Sequence, residues 1–120
     1  MPPAYPRLHH EGLDAYQAAV AFLALATNLL AEPHRGYSSM AEQFRTASLS
    51  IPLHIAEGYG KRSPQDRVRS YDIAPGSAHD CAAILDALQV LPFIKEGPFV
   101  EGKTLLHRIV SMLVKTVDDA

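Results

Sequence analysis

The stretch SIPLHIAEGYGKR, Ser50 to Arg62, decides the fold when it is set beside IAPGSAHD, Ile73 to Asp80. Ser63 and Pro64 lie between the two and supply a helix start, so the segments are predicted to be the arms of an antiparallel helical hairpin. Small residues crowd both arms: Ala56, Gly58, Gly60, Gly76, Ser77 and Ala78 would let two backbones approach closely. Pro52 and Pro75 each remove an amide donor from a helix interior, at a cost of roughly 3 kcal/mol, and strand the carbonyls of Ser48 and Tyr71. Local kinks packed against a neighbour would make that tolerable. If the turn centres near Arg62, facing residues have numbers that sum to about 124. Gly76 and Ser77 then meet Ala47 and Ser48, and the hydroxyls there would satisfy the freed backbone groups.

Working outward, the segment from Leu13 to about Ala31 holds strong helix formers and no Gly or Pro. Leu13, Tyr16, Val20, Leu23, Thr27 and Leu30 trace one face; Ala15, Ala18, Phe22, Leu25 and Leu29 give a second apolar strip. No helix is central in a four-helix bundle, so a helix apolar around this much of its circumference predicts cover from another subunit. Pro33 and Gly36 mark the first turn, and Ser38 or Ser39 can cap the next helix, with Glu42 three residues after Ser39 to complete a capping box. That helix sends Met40, Phe44, Ala47, Ile51 and Ile55 inward and ends at Gly58 to Gly60. The third runs from Ser63 to about Val90, burying Val68, Tyr71, Ala74, Ala78, Cys81, Leu85 and Leu88, and Pro92 stops it. The fourth runs from about Phe99 to Val117 through Leu105, Leu106, Ile109, Val110, Met112, Leu113 and Val117. Gly102 weakens its first turn and predicts a later start.

The organisation is therefore an irregular lead-in over 1–12, one bundle domain over 13–117 and a frayed end over 118–120. The fold class is all-α, an antiparallel up-down-up-down four-helix bundle. A chain of 120 residues with 48% hydrophobic side chains, 8% aromatic and no Trp can bury one aliphatic core. Its formal charge of -2 gives no global attraction for nucleic acid or an anionic membrane, so such binding needs a local basic patch. No apolar run spans a bilayer, because Gln17, Thr27 and Asn28 interrupt the best one. The single Cys81 suits a reducing cytoplasm, the predicted location.

For chemistry the pattern is sparse. His54 and Glu57 stand one turn apart, as an acid-base pair or two metal ligands would, with His79 and Asp80 as partners from the third helix. Di-metal bundles, however, repeat Glu-x-x-His on paired helices, and this chain has one reversed copy. The reading is a structural polar cluster, with no metal, no cofactor and no catalytic residue. Cys81 sits on an apolar stripe without an adjacent cation to activate it. Gly58 and Gly60 close a helix and do not follow a strand, which excludes a phosphate-binding P-loop. Lys61, Arg62, Arg67 and Arg69, with Tyr59 alongside, form the one basic concentration and are the candidate phosphate contacts.

The motif itself resembles the signature of small four-helix bundle proteins encoded in 23S rRNA intervening sequences, a family that also takes in accessory proteins of diversity-generating retroelements. The resemblance is carried by Gln43, Phe44, Ala47, Ser50, Ile51, Pro52, His54, Ile55, Ala56, Glu57, Gly58, Gly60 and Lys61, then Ile73, Ala74, Gly76, Ser77 and Asp80. His54 replaces an Asn of that pattern, Lys61 an Arg and Asp80 a Glu. The resemblance extends from about Leu13 to Val117 and implies a ring-like homo-oligomer, a pentamer. It also implies a non-enzymatic adaptor associated with RNA or a nucleic-acid-processing protein. The alternatives are a structural homo-oligomer that binds a protein partner without nucleic acid, and a small-molecule or metal-binding enzyme.

Overall fold

Four helix-forming segments separated by short breakers become four α-helices in the computed structural model, which describes residues 4–118. They are α1 Asp14–Leu29, α2 Ser38–Gly60, α3 Pro64–Val90 and α4 Glu96–Asp118. Among the described residues there is no strand. Each helix packs on the next and α4 returns to α1, while the backbones of the diagonal pairs stay further apart. Opposed numbering fixes the directions. Ser50 meets Ser77 and Gly58 meets Tyr71 across α2 and α3, whereas Phe22 and Leu25 of α1 meet Gly102 of α4. The class is thus an antiparallel, all-α four-helix bundle.

The α2–α3 hairpin forms as the motif implies, but its register differs. Facing residues sum to between 127 and 129, about one helical turn beyond the expected pairing, as Ser50 with Ser77 and Gly58 with Tyr71 show. The backbone is extended at both Lys61 and Ser63, which carries the chain along before α3 begins. Ser63 Oγ accepts the Asp66 amide at 3.4 Å and Pro64 occupies the first turn, so α3 starts where the sequence places it.

The hydroxyls beside the prolines do not serve the stranded carbonyls. Ser48 donates to the Arg45 carbonyl, and Ser77 donates to Ser50. Nor do all the small residues act alike. Gly58 is buried against the Tyr71 ring, where an added Cβ would lie 2.8 Å from Cε1. Gly60 and Gly76 are exposed, and a Cβ on either meets nothing within 4 Å. Since Gly costs a helix interior about 1 kcal/mol relative to Ala, Gly76→Ala should stabilise the fold by roughly 0.5–1 kcal/mol in urea unfolding. A loss of stability instead would reveal a close neighbour that this chain alone does not supply.

Elsewhere the structure selects one of the two strips of α1 and corrects two helix starts. In α1 the core face is the second strip: Ala15, Ala18, Ala19, Phe22 and Ala26 are buried, while Val20 and Thr27 are exposed. Alanines flanking one Phe let α1 lie close to α2 and α4, which outweighs the larger but more widely spread residues of the first strip. Ser39 and Glu42 form no capping box, because the helix starts at Ser38 with Tyr37 as an N-cap that makes no side-chain hydrogen bond, and Glu42 pairs with Arg45. α4 begins earlier than expected, at Glu96, and Gly102 is buried inside it. There a Cβ would sit 2.8 Å from Leu85 Cδ1 and 3.2 Å from Leu25 Cδ2, so this glycine marks where three helices converge.

The predicted irregular lead-in contains a 3-10 turn, His9–Gly12, held on α2 by His9 Nδ1 at 3.4 Å from the Tyr59 hydroxyl and on α1 by the edge of His10 against Tyr16. Residues 1–3 of that lead-in, and 119 and 120 of the predicted frayed end, lie outside the described residues. The core runs continuously from Phe22 and Phe44 through Ile51, Ile55, Cys81 and Leu85 to Ile109 and Leu113. Burial pushes the Cys81 thiol up to about 12, with the Asp80 carboxylate adding to it, so the thiolate form that nucleophilic chemistry requires is suppressed.

Candidate functional site

Ser50 lies on the α2–α3 seam, and His54, one turn on, shares its side of α2. Ser77 donates to Ser50 Oγ at 2.9 Å, and His54 Nδ1 lies 3.0 Å from that oxygen and 2.9 Å from the Ser50 carbonyl. Either tautomer of His54 therefore finds a partner on residue 50. Glu57 turns the other way and pairs with Lys61 at 3.4 Å. His79 returns to its own helix, at 2.7 Å from the Pro75 carbonyl. The residues that sequence spacing grouped as a possible His-Glu site are thus divided between a polar tie and a surface ion pair. Among the described residues no three His, Cys, Asp or Glu side chains gather to hold a metal ion.

The four candidate phosphate contacts surround the α2–α3 connection, each held differently. Arg67 donates through Nε to the Lys61 carbonyl at 2.6 Å, which anchors the guanidinium against the turn. Lys61 is engaged with Glu57, Arg69 approaches Asp66 at 3.9 Å, and Arg62 is exposed without an ion pair among the described residues. The surface ion pairs are weak, worth about 0–1 kcal/mol, and an incoming phosphate competes with them at little cost.

Behind this turn the structure reveals a feature that sequence reading did not assemble. A cleft of about 780 Å³ opens at this end of the bundle, between the start of α1 and α3 and the close of α2 and α4. Its polar lining is Tyr59, Arg67, Tyr71, Lys115, Thr116 and Asp14, over an apolar wall that includes Ile55, Val68 and Met112. Burial raises the Tyr71 phenol above its usual range, against the opposing pull of Arg67 and with a smaller upward push from Tyr59. The spacing of Gly58 and Tyr71 was available in the sequence, but Lys115 enters only through the closing of α4 on α1.

At the opposite end, a smaller cavity of about 240 Å³ is lined by Leu30, Met40, Phe44, Leu88 and Phe93. His34 stacks on Phe93 with ring centroids 3.8 Å apart, and Tyr37 meets the same ring edge-on at 5.1 Å. The segment read as a plain turn thus closes that end, with Gly36 at φ +89° making the bend.

With the bundle, its hairpin motif and the basic turn in place, the class is that of small antiparallel four-helix bundle proteins. The chain belongs to the 23S rRNA-intervening sequence protein family, whose profile matches residues 11–115. A crystal structure of a protein of unknown function from the S23 ribosomal protein family of Bacteroides thetaiotaomicron superposes with a TM-score of 0.76. It is 17% identical, and the match covers 86% of this chain and 97% of that one. At that identity the likeness establishes the fold alone. No curated protein matches the chain.

Proposed function

We propose that this chain is a non-enzymatic, self-associating adaptor that engages structured RNA, or a protein that processes it, through Lys61, Arg62, Arg67 and Arg69. The observation that carries the reading is the gathering of all four cations around a single short connection, with the Tyr59 ring beside them and the Arg67 guanidinium anchored by a backbone carbonyl. A chain of net charge -2 repels polyanions overall, so a concentrated patch is the arrangement through which contact is made. Repetition of that patch around a homopentamer would multiply its field. Self-association is supported by Leu49, Leu53 and Ile73, apolar side chains 46%, 56% and 44% exposed on α2 and α3. The lone buried thiol suits work in the cytoplasm, and among the described residues no helix is long and apolar enough to cross a membrane.

Binding to structured RNA should weaken linearly with the logarithm of salt concentration, since released counterions drive phosphate contacts. The double substitution Arg62→Glu and Arg67→Glu should lower affinity at least about tenfold near 0.1 M salt and flatten that slope. Native mass measurement of the same variant should show the wild-type assembly. An intact assembly whose wild-type form has no affinity for RNA would favour the second reading, a structural oligomer that docks a protein on the exposed Leu49 and Leu53 strip.

A further inference from the structure

We infer that the cleft at the α1–α4 closure is a binding site for a small amphipathic organic anion, its charged head held by Arg67, Lys115 and the Tyr71 hydroxyl and its apolar body against Ile55, Val68 and Met112. Three observations lead there. The first is Tyr71, whose residue is 8% exposed and whose ring rests on Gly58. Its hydroxyl is used by no hydrogen bond among the described residues, yet it is not sealed in protein, because the residue lines the cleft. The ring is buried while the hydroxyl opens on the cleft, so the O–H is placed to donate to an acceptor that enters there. With its ionisation pushed upward by burial, it remains a neutral O–H donor at physiological pH.

The second observation is charge. Arg67 and Lys115 line the same space and, among the described residues, Asp14 is the one carboxylate in the lining, so it favours an acceptor-rich, negatively charged head. The Lys61 carbonyl holds Arg67 through Nε, which leaves the terminal nitrogens of the guanidinium to bind. The third is size and polarity. About 780 Å³ falls within the range of small-molecule sites, and the cleft exposes more apolar than polar surface, as a site with a few directed polar groups does. An inorganic ion would leave that apolar wall wet, whereas an amphipathic molecule covers it.

This inference goes beyond the RNA reading and tests separately from it, since Tyr71 and Lys115 are not among the proposed phosphate contacts. The probe is anilinonaphthalene sulfonate, titrated by fluorescence against the full chain, with uncharged phenylnaphthylamine as its comparison. Tyr71→Phe keeps the ring on Gly58 and should weaken the sulfonate roughly tenfold while leaving the neutral dye unchanged. Lys115→Gln should weaken the sulfonate by about threefold. Amide shifts caused by the sulfonate should cluster at Tyr59, Arg67, Val68, Tyr71 and Lys115. Displacement by decanoate would assign the site to aliphatic carboxylates, and displacement by adenosine monophosphate to phosphorylated planar molecules. Equal affinity of wild type and Tyr71→Phe, shifts centred instead on His34 and Phe93, or displacement by structured RNA or inorganic phosphate alone would overturn the proposal.

Discussion

Phe22→Ala should cost the bundle about 3–5 kcal/mol, the largest loss expected from any single truncation on α1. Phe22 is fully buried, meets Phe44 edge-to-face at 6.0 Å between centroids, and lies close to Gly102 on α4. The buried residues one turn before and after it, Ala18, Ala19 and Ala26, are too small to reach into the space it would vacate. The surrounding contacts come from three helices, so collapse of one wall would pull the others out of register. For a chain of 120 residues the melting temperature should fall by roughly 12–20 °C, at a fixed protein concentration because assembly would contribute to the midpoint. A drop of only a few degrees would mean that α1 is not the structural member described above.

The second large effect is expected at Gly58. In Gly58→Ala the new methyl group would lie 2.8 and 2.9 Å from two carbons of the Tyr71 ring and 3.2 Å from Ser70 Cβ. A ring, unlike the end of a leucine, cannot fold aside, so α2 and α3 must separate or Tyr71 must leave its place. Overpacking of this kind costs about 1–3 kcal/mol, against which the better helix propensity of Ala returns up to about 1. A net loss of about 1–2 kcal/mol should appear in urea unfolding. In the same experiment Tyr71→Ala combined with Gly58→Ala should show strong coupling, the double variant losing less than the sum of its parts. Additive losses would show that the ring and the glycine do not touch.

The contrast between Gly58 and Gly76 shows what the sequence could express. Both stood in the motif as small residues permitting close approach, and only one of them is in contact. Helix existence and order were legible because Ser63 with Pro64, Pro33 with Gly36, and Pro92 are local signals. Register was not, because it depends on how far the extended residues at Lys61 and Ser63 advance the chain. The inward face of α1 was not legible for a related reason: two apolar strips share its circumference, and only the packed helices select small Ala18 and Ala19 over Val20. Gly102 carried a propensity signal for weakness, and tertiary packing turned it into a point of close approach. The basic turn was legible since its four residues are near in sequence. The cleft was not, because Tyr71 and Lys115 are brought together only when the last helix docks on the first.

That docking also imposes an order of assembly. α1 leaves the ribosome before the others, yet one flank of Phe22 is closed by a segment some eighty residues later in the chain. The α2–α3 hairpin needs only a short loop to find itself, whereas sealing α1 requires nearly the whole polypeptide. During synthesis the flank of Phe22 and Leu25 is left wet until the bare backbone at Gly102 arrives to cover it, and a nascent chain stalled before that point carries this apolar surface outward.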